Sequence, residues 1–271
     1  MKTKTLFIIP LKSAKISQDW KMVCDLLNCT LASIEGQKSK DHHTFIVCTE
    51  KPTITANIEK TTIFCTDIRI EGEFTHDKGA LDKQQKVYFG LSKAVDLHPD
   101  NVMIVDADDL LHCDLLSYMH AQSKHSGFII NKGYRLFKGR NYLSKLTNFN
   151  RKCGTFALFP YEKEYFVKYA DYKVDFSKYY MTATPHNKEI DRDFRERGII
   201  YKFVPFYGAI YVRNHGDNLR EHESNPKNLQ KTEEKIIPWI IRKIQEKLFR
   251  KRKITKRFLC QFNGLEDLLN L

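Results

Sequence analysis

Long apolar runs are missing from this chain. No stretch approaches the ~20 apolar residues that a membrane-spanning helix requires, and the opening MKTKTLFIIPLKS is interrupted by Pro10 and Lys12 too early for a secretory signal. Paired cysteines are missing as well, since the seven cysteines are scattered without a CxxC motif. This pattern indicates reduced core thiols rather than a disulfide framework or a zinc site. We therefore expect a cytoplasmic protein.

Acidic residues are scarce in the C-terminal part of the chain. The formal net charge is +12, and residues 235–257, from Lys235 to Arg257, hold ten basic residues against one acid. That segment therefore carries +9 and leaves about +3 for the rest of the chain. Its apolar residues repeat at helical steps, at Ile237, Ile240, Ile241, Ile244 and Leu248.

This basic, amphipathic pattern predicts a helix that lies on an anionic membrane surface, at the inner face of the membrane. The alternative is an ordinary surface helix that packs its apolar stripe on the domain. Nucleic acid ranks third as a partner, because the run lacks a recognised nucleic-acid-binding module.

Strands and helices alternate over the first hundred residues. Short apolar runs predict strands at 5–9, 44–48, 61–65 and 102–105, and helical spacing predicts helices at 17–36 and 79–97. Such alternation favours parallel pairing with crossover helices. We expect one α/β domain with a mostly parallel central sheet over residues 1–222, followed by a basic amphipathic helical tail over 223–271.

The regular alternation of strands and helices ends after the acid cluster at residues 106–109. Runs at 127–131 and 134–137 flank Lys132 and Gly133 and predict a hairpin, and a short strand follows at 155–159. A charged helix is expected at 187–197, ended by Gly198. Two late strands, at 202–206 and 209–213, lead into a loop that contains His215.

Three carboxylates follow the apolar run at 102–105: Asp106, Asp108 and Asp109. Ligands of open α/β sheets bind beyond the carboxyl ends of such strands. Acids clustered at that point need a counter-charge, which a divalent cation with oxygen ligands supplies and nucleotide phosphates commonly complete. In the alternative interpretation, Asp108 or Asp109 only caps the next helix.

Three later features could join the carboxylate cluster. His215 could complete a metal shell or be simply structural. Glu189 and Asp191 lie near the start of the charged helix, where one could act as a general base and where acids are also favoured by the helix dipole. Lys78, at the start of the helix before the central strand, could face a phosphate or lie in a solvated loop.

The order of these motifs resembles the GT-A glycosyltransferases, and is most similar to glycosyltransferase family 2. The resemblance covers roughly residues 3–220. The matching segments are FIIPLKS, TLASIEGQ with TFIVCTE, KGALDKQQKVYFGLSKA with NVMIVDADDLL, CGTFALF, DRDFRERG and YKFVPFYGAIYVRNHGDNLR. NVMIVDADDLL is similar to the "DADD" form of the family's DxD motif, and the last segment to its closing "R-x-H-G-x-N" loop.

The resemblance implies a Rossmann-like nucleotide-diphospho-sugar transferase domain. It implies that Asp106 and Asp108 contact the nucleotide, and that Asp108 or Asp109 ligates Mn²⁺ or Mg²⁺ with His215 as a further ligand. Pro10 and Lys78 would lie near the nucleotide, and Glu50 would stand in for the family's base-reading acids.

On the acceptor side, the resemblance makes Asp191 the general base. The acid that normally precedes it is either missing here or displaced to Glu189. The expected reaction moves a sugar from a nucleotide-sugar donor, most simply a UDP-sugar, to a saccharide or lipid-linked acceptor in cell-surface polysaccharide or glycolipid assembly. Inversion at the anomeric carbon is conditional on Asp191.

Two other functions fit parts of the sequence. A sugar-phosphate nucleotidyltransferase can share this core, but it predicts a glycine-rich phosphate loop after the first strand, and Pro10-Leu11-Lys12-Ser13 is not one. A non-enzymatic membrane- or nucleic-acid-binding protein would act through the basic tail. It predicts that Asp108 and Asp109 are dispensable.

Overall fold

Two β-sheets form the framework of the part of the chain that the computed structural model describes, which comprises residues 5–70, 72, 75–122, 126–161, 190–196, 198–213, 215–217 and 251–271. The strands are β1 (Thr5–Pro10), β2 (His42–Cys48), β3 (Thr61–Cys65), β4 (Asn101–Ile104), β5 (Leu110–Leu111), β6 (Gly127–Ile129), β7 (Gly133–Phe137), β8 (Tyr142–Leu146), β9 (Ala157–Pro160), β10 (Tyr201–Phe203), β11 (Ala209–Arg213) and β12 (Lys251–Lys253). The α-helices are α1 (Trp20–Glu35), α2 (His76–Lys93), α3 (Leu115–His120), α4 (Ile190–Glu196), α5 (Lys256–Leu259) and α6 (Leu265–Asn270).

The larger sheet has seven strands in the order β10-β6-β9-β4-β1-β2-β3. All its neighbouring strands pair in parallel except at β9, which runs antiparallel to β4 and β6. Every residue of β1 is buried, as expected for a strand that is covered on both faces. The predicted α/β class with a mostly parallel central sheet is confirmed.

Helices α1 and α2 are crossover helices of this sheet. Asp19 caps α1 by accepting a hydrogen bond from the backbone N–H of Met22, and the helix buries residues at three- and four-residue steps. In α2, Gly90 lies so close to the sheet that a Cβ there would be 2.9 Å from Ile8 Cγ2. The two helices, at Trp20–Glu35 and His76–Lys93, lie close to the ranges 17–36 and 79–97 predicted from the apolar spacing.

The smaller sheet has five strands in the order β12-β8-β7-β11-β5. The hairpin predicted from 127–131 and 134–137 is wrong, because β6 belongs to the larger sheet and β7 to the smaller one. The antiparallel partner of β7 is β8, a strand that was not predicted from the sequence. Two residues between apolar runs fit a hairpin, but the chain here passes from one sheet to the other.

The C-terminal residues 251–271 pack into the domain. Phe258, Phe262, Leu265 and Leu268 are buried against α1 and the smaller sheet. Residues 251–253, which were expected in a basic helix, form β12 instead, because the edge of β8 offers unpaired backbone groups to an antiparallel partner. Residues 223–250 of the predicted tail lie outside the described residues, and the predicted domain boundary stays a prediction. No described helix is long and apolar enough to cross a bilayer.

Candidate active site at the carboxyl edge of the central strands

A pocket of ≈ 130 Å³ opens beyond the carboxyl ends of β1 and β4. The N–H of Val105 donates to the Ile8 carbonyl at 3.0 Å, so the two strands stay paired up to the rim. The lining residues come from the end of β1 and the loop after it, from α1 and α2, from the acid cluster, from the loop before β9 and from β11 and its following loop. They include Pro10, Lys12, Asp82, Lys83, Asp106, Asp108, Lys152, Tyr211, His215 and Asp217.

Asp106 forms an ion pair with Lys83 on the pocket wall. Its backbone N–H donates to Thr155 Oγ1 at 2.8 Å, which fixes the start of the acid cluster. Burial lowers the pKa of Lys83, but the attraction of the Asp106 carboxylate outweighs it, so this pKa lies above its ordinary value. The pair fits closely beneath Gly154, where a Cβ would be 2.6 Å from Asp106 Oδ2.

Asp108 faces His215 across the pocket. Asp108 Oδ2 and His215 Nε2 are 2.8 Å apart, and the two side chains are 17% and 4% exposed. The pairing of β5 with β11 brings their segments together, since Leu110 lies opposite Ile210. The sequence placed both residues in one site, and the structure brings them into contact.

Asp109 points away from the pocket and is fully buried. Its Oδ2 accepts a hydrogen bond from the Cys153 thiol at 2.8 Å, and its Oδ1 accepts one from the Val212 N–H at 3.4 Å. Burial raises the pKa of Asp109 well above its usual range, and the nearby Asp108 and Asp106 carboxylates raise it further. In this position the side chain ties the acid cluster to the loop before β9 and to β11.

The His215 loop is anchored through Asp217. Asp217 Oδ1 accepts hydrogen bonds from Lys12 Nζ and from the Gln18 N–H, both at 2.8 Å. Its Oδ2 accepts one from the Asp19 N–H at 3.2 Å. These bonds join the loop after β11 to the loop after β1, so they hold His215 in place over the pocket.

Of the residues Pro10, Glu50 and Lys78, which were predicted to contact the nucleotide, only Pro10 lines the pocket. Pro10 lines the pocket at the end of β1. Glu50 uses both carboxylate oxygens within the protein, accepting from Ser13 Oγ at 3.0 Å and from the Ala14 N–H at 2.9 Å. Lys78 is exposed in the first turn of α2, and its neighbour Gly79 rather than Lys78 lines the pocket.

The two predicted catalytic acids, Asp191 and Glu189, are not found in the described lining of the pocket. Asp191, on α4, is 40% exposed and pairs with Arg195, with Oδ2 and Nη1 3.3 Å apart. Arg195 also donates to the Tyr201 hydroxyl at 3.0 Å. Asp191 is not among the described residues that line the pocket. Glu189 lies outside the described residues.

Lysines are the site residues that the sequence interpretation missed. Lys12, Lys83 and Lys152 all line the pocket. Beneath it, the fully buried Lys86 donates to Asp82 Oδ2 at 2.9 Å and to the Leu11 carbonyl at 2.8 Å. In the sequence, these lysines are indistinguishable from those of a solvated helix face or loop. The resulting pocket combines carboxylates, a group that can bind cations, with ammonium groups, which can bind phosphates.

The Asp108–His215 pair fits a divalent cation. Two ligands in adjacent positions of an octahedral shell at ~2.1 Å are about 3 Å apart, and the two facing atoms here are 2.8 Å apart. Carboxylate and imidazole donors suit Mn²⁺, and a mainly carboxylate set suits Mg²⁺. Donor atoms of Asp106, Asp109 and Cys153 also lie within 4.8 Å of one another. However, burial raises the pKa of the Cys153 thiol, and a protonated thiol is a poor ligand.

No protein-family model matches the sequence, and no curated protein matches it. Among solved structures, the chain is similar to residues 1–349 of S. aureus TarS, with 11% identity, coverage of 90% of this chain and 80% of that one, and a TM-score of 0.43. A longer S. aureus TarS structure matches with 11% identity over 78% of this chain and 37% of that one, and a TM-score of 0.41.

A third solved structure is described as a nucleotide-diphospho-sugar transferase from Desulfovibrio desulfuricans G20. It is 8% identical over 90% of this chain and 95% of that one, with a TM-score of 0.37. All three TM-scores lie below 0.5, which is too low to assign a fold or a function to this chain.

Proposed function

We propose that the protein is a metal-dependent glycosyltransferase of the GT-A type that moves a sugar from a nucleotide-diphospho-sugar to a saccharide acceptor. The supporting observation is the Asp108–His215 pair at the carboxyl edge of β4, inside a pocket that also contains Lys12, Lys83 and Lys152. A cation and ammonium groups both neutralise the charge of a diphosphate, and this pocket places three lysines beside the Asp108–His215 pair.

Each pocket residue has a proposed role in donor binding. Asp108 and His215 hold Mn²⁺ or Mg²⁺, which supplies Lewis-acid stabilisation of the departing diphosphate when bound. Asp106 contacts the nucleotide from its ion pair with Lys83, and Pro10 contacts it from the end of β1. Asp109 positions the cluster from below rather than binding the cation. A UDP-sugar is the proposed donor.

The proposed base is Asp191, with Glu189 as the neighbouring acid. A carboxylate that removes the proton from an attacking hydroxyl contributes typically ~10²–10⁴-fold to the rate, and a single displacement would then invert the anomeric carbon. In the described structure Asp191 pairs with Arg195 and does not line the pocket, so the assignment rests on the family resemblance.

Location in the cell belongs to the same proposal. We infer a cytoplasmic enzyme of cell-surface polysaccharide or glycolipid assembly. Attraction of residues 235–257 to the inner membrane surface stays a prediction.

Donor hydrolysis tests this function without knowledge of the acceptor. Release of nucleoside diphosphate from UDP-, GDP-, CDP- and dTDP-sugars is measured with Mn²⁺ and with EDTA. We expect metal-dependent release from one nucleotide class, lost in Asp108→Asn and slowed at least ~10²-fold in Asp191→Asn, with Arg192→Gln as the control on the same helix. Release that is insensitive to EDTA and to Asp108→Asn would overturn the proposal. Full activity of Asp191→Asn alone would remove only the base assignment.

A further inference from the structure

A long stretch of the chain carries charge of one sign only. Between Asp114 and Glu162 there are eight lysines and arginines and no acidic residue. This stretch contains β7, β8 and the turn that joins them. Strands β11 and β12, which flank this pair in the smaller sheet, also lack acidic residues. The part of the chain outside residues 235–257 has a net charge of only about +3, but it contains this strongly basic stretch.

The smaller sheet concentrates these cations on one of its faces. One face carries Tyr134, Leu136 and Leu143, which are buried against the C-terminal helices. Because side chains alternate along a strand, the opposite face carries Arg135, Phe137, Tyr142, Arg213, Lys251 and Lys253 from four neighbouring strands.

Cations and aromatic rings alternate across this face. Two guanidinium groups lie near Phe137, with the Arg135 and Arg140 Cζ atoms 5.0 and 5.2 Å from the ring centre. Arg140 also lies 5.6 Å from the Tyr142 ring centre, and Lys251 Nζ lies 4.2 Å from the same centre. We call Arg135, Phe137, Arg140, Tyr142, Lys251 and Lys253 the basic–aromatic ladder.

Three cations of the ladder keep their charge available to a ligand. Arg140, Lys251 and Lys253 are exposed, and none forms an ion pair with a described carboxylate. A cation–π contact at an exposed site is worth only ~0.5–1 kcal/mol. Charge-assisted hydrogen bonds to an anion are stronger. An anionic ligand can therefore bind the charged ends of Arg140, Lys251 and Lys253. The aromatic rings can meanwhile contact both the ligand and the aliphatic parts of these side chains.

The ladder continues into the candidate active site. Tyr211 of β11 lines the pocket, and it lies opposite Arg135 in the sheet register. Lys152, which follows β8 along the chain, lines the pocket as well. From β11 to β12 the four strands span about 14 Å at the usual strand spacing. A chain that lies along the ladder would thus have one end at the pocket and several units on the sheet.

We propose that the basic–aromatic ladder binds an anionic polysaccharide, the acceptor of the transfer reaction, through phosphate or carboxylate groups on its repeating units. This assignment of the acceptor class rests on the proposed function. The cations bind the charged groups, and the parts of the Phe137 and Tyr142 rings that the cations leave open contact the apolar faces of sugar rings. Single-stranded RNA also combines anions with flat rings. A glycan is favoured because the ladder leads to the proposed nucleotide-sugar pocket, where the acceptor of a sugar must bind.

Binding of model polymers to the full-length protein tests this inference. The probes are fluorescent dextran sulfate of ten sugar units, unsulfated dextran of the same length, a single-stranded RNA decamer and vesicles that contain phosphatidylglycerol. The ladder variant is Lys251→Gln/Lys253→Gln, and a second variant, Tyr142→Leu, removes one ring. The matched control is Lys40→Gln/Lys93→Gln, which removes two exposed lysines, one just before β2 and one at the end of α2.

We expect wild-type protein to bind dextran sulfate, with unsulfated dextran and RNA at least several-fold weaker, and to lose affinity as salt rises. The lysine variant should bind dextran sulfate roughly five- to tenfold more weakly, and the control and Asp108→Asn should bind normally. Equal weakening in the control, tighter binding of RNA, or a lysine effect confined to vesicles would overturn the inference. Nucleotide binding is measured on the same samples, so failure of the ladder and failure of the donor site are separate results.

Discussion

Asp108 and His215 are 107 residues apart in the chain, yet Asp108 Oδ2 and His215 Nε2 lie 2.8 Å from each other. The contact joins the carboxyl end of the central strand to the loop after β11. It depends on two structural supports, the β5–β11 pairing and the Asp217 anchor. The 2.8 Å distance is that of a hydrogen bond between the carboxylate and the imidazole, and the same two atoms are the ligands that we propose for the cation.

His215→Ala tests the pair directly. Loss of a ligand should weaken Mn²⁺ binding in the presence of nucleotide by at least about tenfold, the lower end of what even an outer-shell partner contributes. Electron paramagnetic resonance of free Mn²⁺ measures this affinity. His98→Asn is the control, since His98 is an exposed histidine with φ 44° in the turn before β4 and Asn tolerates that conformation. Unchanged Mn²⁺ affinity in His215→Ala would exclude His215 as a ligand.

The central strand and its acids could be predicted because their signals are local. An unbroken apolar run followed by Asp106, Asp108 and Asp109 identifies both the strand and the edge where ligands bind. Sequence could not tell which carboxylate faces the pocket. Asp109 is turned toward Cys153 by contacts with residues more than forty positions away, and no local pattern encodes those contacts.

Other features depend on which partner a segment finds. The hairpin prediction failed because β6 and β7 join different sheets. β12 exists because β8 leaves an edge to be covered, and a run of basic residues gives no sign of that. The pocket lysines were missed for a similar reason. Lys83 and Lys86 are three residues apart on α2, and only the packed structure shows that Lys86 is buried, that Lys83 is largely covered and that both are paired.

The buried Asp82–Lys86 pair gives a stability prediction. Lys86→Met leaves the Asp82 carboxylate buried without its counter-charge, and we expect it to lower the free energy of unfolding by about 3–5 kcal/mol. Asp82→Leu/Lys86→Met removes both charges and should recover most of that loss. Urea unfolding monitored by circular dichroism measures both variants. A double variant that is less stable than the single one would contradict this account of the pair.

His112 should make stability depend on pH. Its ring lies between Phe206 and Phe262, with centroids 4.9 and 5.1 Å away, and Nδ1 accepts the Asp114 N–H. Burial lowers the pKa of His112, so the unfolded chain, with a histidine pKa near ~6.5, takes up the proton first. Stability is therefore full above about pH 6.5 and falls as the pH drops from there toward the lowered folded pKa.

His112→Asn, which keeps an acceptor in place of Nδ1, should flatten this dependence below about pH 6.5. Thermal unfolding at a series of pH values measures the slope, and exposed His98→Asn should keep the wild-type slope. Burial also lowers the pKa of His43, so some slope of the same sign should persist. An unchanged slope in His112→Asn would show that other groups control acid stability.

Nucleotide binding tests the donor site most directly. Calorimetric titrations of UDP, GDP, CDP and dTDP are performed with and without Mn²⁺ on wild type, on Asp108→Asn and on the distant control Lys40→Gln. We predict that one nucleotide binds only with Mn²⁺, that Asp108→Asn abolishes this binding and that Lys40→Gln preserves it. A folded wild-type protein that binds none of the four nucleotides, or that binds one equally well without the metal and in Asp108→Asn, would contradict a metal-dependent nucleotide-sugar site.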